Sequence, residues 1–166
     1  MTARNRVLYP FTRGVRKGAD MLIPHGALVM VVDGANMQVF RNSGEDSAPK
    51  LMPLGEGARK AARTSALGTD RPGRAFQSGI PARSSYETTD YHQVEEDRFA
   101  EEAAQLFDAL LKDDVPGILV AAPRTLSVMR RHLGAETLSR LLAEIDKDYA
   151  QRPVAEIEAM LERYEI

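Results

Sequence analysis

ALVMVVDGANMQVFRN, residues 27–42, is the stretch on which the fold turns. Two apolar, β-branched runs at 27–32 and 37–41 flank Asp33-Gly34-Ala35-Asn36, and that pattern predicts an antiparallel hairpin. Asp-Gly tolerates the positive φ angles of a tight turn. Unbroken apolarity over residues 28–32 predicts a strand buried on both faces.

Outward from the hairpin, residues 50–54 predict a third short strand that ends at Gly55. Phe99, Ala103, Leu106, Phe107 and Leu110 recur every three or four residues, so 95–112 reads as an amphipathic helix with Glu95, Glu96 and Asp97 favouring its N-terminal dipole. Asp113-Asp114-Val115-Pro116-Gly117 is a turn, ILVAA at 118–122 a strand closed by Pro123, and 125–133 a helix. Leu138, Leu141, Leu142, Ile145 and Tyr149 fit a helical stripe, although Leu141, Ala143 and Ile145 also alternate; periodicity prefers helix. Pro153 suits the first turn of a last helix carrying Val154, Ile157, Met160 and Leu161. Helices alternating with strands in this way describe an α/β domain.

Composition narrows the chemistry. The 166 residues include no cysteine, which removes disulfides, thiolate catalysis and cysteine-built zinc sites. His25, His92 and His132 are too widely spaced for a metal motif. The carboxylates Asp33, Asp70, Asp90, Glu95 and Glu96 could meet at one end of the sheet around a divalent cation, but structural duties account better for most of them: Asp33 in the turn, Asp90 as a helix cap, Glu95 and Glu96 at the helix start. No metal or cofactor is therefore expected. Basic and acidic residues number five and one in 1–20, eight and seven in 21–92, and nine and sixteen in 93–166, so net charge runs +4, +1 and −7. A chain polarised in this way binds nucleic acid only locally.

Residues 1–20 lack the apolar core of a secretory signal and read as a basic, disordered arm, with Met21 an alternative start. No apolar run is long enough to span a membrane. Residues 21–166 are expected to form one cytoplasmic domain.

Within it, GEGARKAARTSALGTDRPGRAFQSGIPARSSYETTDYH, residues 55–92, is too long for an ordinary loop and reads as a binding segment. Arg59, Lys60, Arg63, Arg71, Arg74 and Arg83 stand against Glu56, Asp70, Glu87 and Asp90, interleaved with Gly, Ser and Thr. Guanidinium forks and glycine-exposed backbone N–H groups suit phosphate. A solvated surface loop has the same composition. Asp70, Pro72 and Gly73 shape a turn that projects Arg71 and Arg74, either towards a phosphate or towards the acidic helix start. Gly-x-Ser-x-Gly, Walker and dinucleotide patterns are all missing.

IPHGALVMVVDG at 23–34, GTDRPGRAFQS at 68–78, ETTDYHQVEEDRFA at 87–100, VAAPRTL at 120–126 and EIDKDYAQRP at 144–153 together resemble the bacterial host attachment protein family. That family is similar to the central domain of archaeal and eukaryotic peptide-release factors. The resemblance implies a mixed central sheet with flanking helices in an RNase H-like arrangement, with a strand rather than a helix over 138–147. It also implies ribosome or tRNA as partner. Release factors carry Gly-Gly-Gln in the corresponding loop; this chain has none, and Gln77-Ser78-Gly79 is the nearest feature. Three functions follow: RNA or ribosome binding through the six basic residues, peptidyl-tRNA hydrolysis with Gln77 positioning water, or a protein-binding role in attachment to host cells.

Overall fold

The computed structural model describes residues 21–55, 57 and 85–165, with side chains in the first helix described from Tyr91 onward. Five strands form one mixed sheet: β1 (Leu28–Val32), β2 (Met37–Asn42), β3 (Leu51–Pro53), β4 (Gly117–Ala121) and β5 (Leu141–Asp146), in the order β3-β2-β1-β4-β5. The pairs β1–β2 and β2–β3 are antiparallel, whereas β1–β4 and β4–β5 are parallel. This is the mixed α/β arrangement that the resemblance implied. Among the described residues, four helices have both ends defined: α1 (Ser85–Leu110), α2 (Pro123–His132), α3 (Ala135–Arg140) and α4 (Val154–Glu162).

Every residue of β1 and β4 is buried, as continuous apolarity in a central parallel pair requires. Alternation sorts them between two cores. Leu28, Met30, Val32, Leu119 and Ala121 pack with Ala103, Leu106 and Phe107 of α1 and Leu126 and Met129 of α2. Val29, Val31, Ile118 and Val120 face the other way, onto Ile157, Met160 and Leu161 of α4. Each such aliphatic side chain removed from water contributes about 1.5–3 kcal/mol before chain entropy is counted.

The hairpin register pairs Val32 with Met37 and leaves residues 33–36 as the turn. Its mechanism differs from the expected one. No positive φ occurs at Asp33 or Gly34. The Asp33 carboxylate instead accepts from the backbone N–H groups of Ala35, at 2.7 Å, and Asn36, closing the turn through a side chain. Glu96 lies close over Gly34: a Cβ there would come within 2.7 Å of Glu96 Cγ, which an exposed glutamate relieves by moving aside.

Four further expectations are corrected. Residues 85–92, assigned to the loop from sequence, belong to α1, which starts ten residues before Glu95. Asp90 therefore lies inside the helix rather than capping it. Glu95 and Glu96 sit about three turns in, beyond the reach of the terminal dipole. Lastly, the helical periodicity over 138–149 gives way: α3 ends at Arg140 and the chain enters β5 at Leu141, the strand that the resemblance implied, begun three residues later. The pairing of β4 with β5 skips Leu142, since Gly117 faces Leu141 while Ile118 faces Ala143. This bulge sends Leu141 to one core and Ile145 to the other, although a spacing of four would put them on one face of a regular strand as of a helix.

Candidate functional site

The order of the strands fixes where ligands could approach. Open α/β sheets bind at the carboxyl ends of their parallel strands. In this chain β1, β4 and β5 all run towards one edge, which their exits at Asp33, Ala122 and Lys147 line. Strand β3 is parallel to β1 by its relation through β2, so the chain leaves β3 at the same edge. Just before that departure the Leu54 N–H donates to the Val39 carbonyl at 2.8 Å.

Helix α1 brings the chain back. It precedes β4 and runs opposite to it, as α2 does after β4, so the two helices run side by side in the same direction. Three contacts fix their alignment: Asp97 against Arg124, Glu101 against His132, and Asp108, whose carboxylate accepts from the Gly134 N–H. Because α2 starts only at Pro123, the part of α1 before residue 97 extends past the end of its neighbour, out over the carboxyl edge.

A small polar network holds this edge. Arg124 donates to both Asp97 oxygens, at 3.2 and 3.4 Å. In the amide orientation that satisfies both groups, the Gln93 carbonyl oxygen also accepts from Arg124, at 2.7 Å. Gln38 donates to the Ala150 carbonyl at 2.6 Å, and Gln151 approaches Asp33 at 3.4 Å. Burial opposes ionisation of Asp33, but the hydrogen bonds from Ala35, Asn36 and Gln151 together outweigh it and hold the carboxyl below its ordinary range.

These groups do not form a catalytic constellation. Among the described residues no three His, Asp or Glu side chains converge as a metal site. Lys147 and Asp148 are both exposed. A cleft of about 380 Å³ beside β5 is lined by Leu138, Leu141, Leu142, Ala143 and Glu144. Its one carboxylate is held by Arg130 through a bond of 3.0 Å to each oxygen. No helix among the described residues is long and apolar enough to cross a membrane.

Arg59, Lys60, Arg63, Asp70, Arg71, Pro72, Gly73, Arg74, Gln77 and Arg83 lie outside the described residues. The residues that sequence reasoning did not single out are Arg124, Gln93 and Gln151. Only Arg124 had a visible signal, as the first charge after an apolar strand and its terminating Pro123.

No curated protein matches the chain. Residues 26–161 match the family model described as bacterial archaeo-eukaryotic release factor family 12, a span reaching from the residue before the hairpin to the last helix and including the whole segment between β3 and α1. The chain belongs to that family, and its mixed sheet with flanking helices is a release-factor-like domain.

Proposed function

We propose that this chain is a ribosome-associated module of the cytoplasm that binds the phosphate backbone of ribosomal RNA or tRNA through Arg59, Lys60, Arg63, Arg71, Arg74 and Arg83. Residues 21–166 act as its single domain, with residues 1–20 as a basic arm. Asp70, Pro72 and Gly73 shape the bend from which Arg71 and Arg74 reach a phosphate.

The observation that carries the reading is the projection of α1. At 1.5 Å per residue, its turns from Ser85 to Gln93 extend about 12 Å before the first described side-chain contact with the body. The six basic residues of 55–92 are separated along the chain from the acidic residues 93–166, which carry a net −7. Membership of a release-factor family supports an RNA partner.

The test is co-sedimentation of the full chain with ribosomes across a salt series. Arg71→Ala with Arg74→Ala weakens binding and reduces the slope of log affinity against log salt by about 1 for each phosphate that is no longer neutralised. If the double variant and the parent pellet alike at every salt concentration, the assignment of the loop fails. A hydrolytic role for Gln77 predicts release from labelled peptidyl-tRNA on stalled ribosomes that Gln77→Ala abolishes. The host attachment resemblance predicts a protein partner instead, bound without dependence on Arg71 and Arg74.

A further inference from the structure

We infer that Arg124 is a positioning residue, which sets the direction of the projecting half of α1. Among the described side chains, the apolar packing of α1 begins at Phe99 and Ala100. Upstream, Tyr91, Val94 and Glu95 face solvent, with Tyr91 62% and Val94 66% exposed. Among the described residues 91–97, the contacts that orient the helix are polar. Gln93 and Asp97 lie one helical turn apart on the same side of α1, and the Arg124 guanidinium reaches both. A planar fork spanning a turn resists both rotation and tilt of the helix, which a single-point ammonium contact does not. On the other side, Glu96 rests against the backbone of Gly34.

The location of Arg124 argues that its role concerns α1 rather than α2. A cation in the first turn of a helix opposes the positive end of the dipole. Helix α2 has no acidic residue in its own first turn and no side-chain cap at Ala122. The Asp97 carboxylate, supplied by α1, compensates both Arg124 and the dipole. The pair is half exposed, at 49% and 40%, so removing it changes global stability little. It is nonetheless enough to bias a short lever between neighbouring orientations.

This inference concerns orientation and stands apart from what the loop binds; its consequence for RNA rests on the function proposed above. Because the chain has no cysteine, labels can be placed cleanly at Tyr91→Cys on the extension and Ser127→Cys on the exposed side of α2. Spin-label distance measurements on the full chain give a narrow distribution. Arg124→Ala broadens or shifts it, Arg124→Lys restores it only in part, and Gln93→Ala with Asp97→Asn reproduces the Ala effect from the other side. Ribosome affinity falls about 1.4- to 5-fold, the equivalent of an exposed pair's 0.2–1 kcal/mol, with the salt slope unchanged. An unchanged distribution in folded Arg124→Ala and in the Gln93/Asp97 variant overturns the inference, whatever happens to binding. Broadening without any ribosome binding leaves the positioning role standing and removes the RNA reading.

Discussion

Asn42 donates from its side-chain nitrogen to the Ile23 carbonyl at 2.7 Å, from a position with no solvent exposure. Its Oδ1 accepts from the N–H groups of Gly44 and Lys50, at 2.8 and 3.0 Å, so one carboxamide fastens the entry to β1 and the β2–β3 connection to the end of β2. Asn42→Ala leaves these backbone groups without partners and is expected to cost about 2–4 kcal/mol in urea unfolding. Asn42→Asp, which cannot donate to Ile23, is expected to be at least as costly. A change below about 0.5 kcal/mol for Ala would show that water replaces the carboxamide.

Gly117 opens β4 beneath α1. A Cβ there would lie 2.6 Å from Leu111 Cδ1 and 3.1 Å from Phe107 Cζ, both on buried side chains. Gly117→Ala should therefore destabilise by about 1–3 kcal/mol through overpacking. Combined with Leu111→Ala, its effect should be clearly less than additive, since the second change removes the obstructing atoms. Strict additivity in a double-mutant cycle would contradict the packing.

The turn at Asp33 carries a pH signature. Its folded-state pKa is depressed, so the ionised carboxylate stabilises the fold above the ordinary aspartate range, and the contribution disappears as pH falls through the lower folded value. Asp33→Asn is expected to destabilise by about 0.5–1 kcal/mol at pH 7, a figure reduced for the side chain's partial exposure. Thermal melts should show the gap between parent and variant closing below about pH 4. A gap that stays constant from about pH 7 to about pH 2.5 would mean that the charge plays no part.

Asp113 and Asp114 occupy the left-handed region, with φ of 58° and 61°, in the turn between α1 and β4. Aspartate tolerates this conformation better than branched residues do. Asp113→Val should lower stability by about 1–2 kcal/mol, whereas Asp113→Gly should be neutral or gain up to about 1 kcal/mol. Equal stabilities for the Val and Gly variants would remove the conformational argument.

Elements defined by local pattern were legible from the chain alone. The β1–β2 hairpin, the apolar run that became β4, the amphipathic body of α1 and the last helix each bury a stripe whose period is written in a few consecutive residues. Where two patterns competed, as over Leu138 to Tyr149, sequence spacing could not choose. A bulge at Leu142 is set by the partner strand, not by the residues around it.

Amino-acid order thus sufficed for the class of fold, the absence of thiol chemistry and the cation-rich composition of residues 55–92, because burial periodicity and charge are local properties. The approach of Glu96 to Gly34, the fastening of two segments by Asn42, and the convergence of Gln93, Asp97 and Arg124 came only with tertiary structure. Each depends on atoms from segments remote in the chain arriving within a few ångströms of one another. That juxtaposition is fixed by how α1 and α2 pack side by side on the sheet, a long-range outcome that no window of residues encodes.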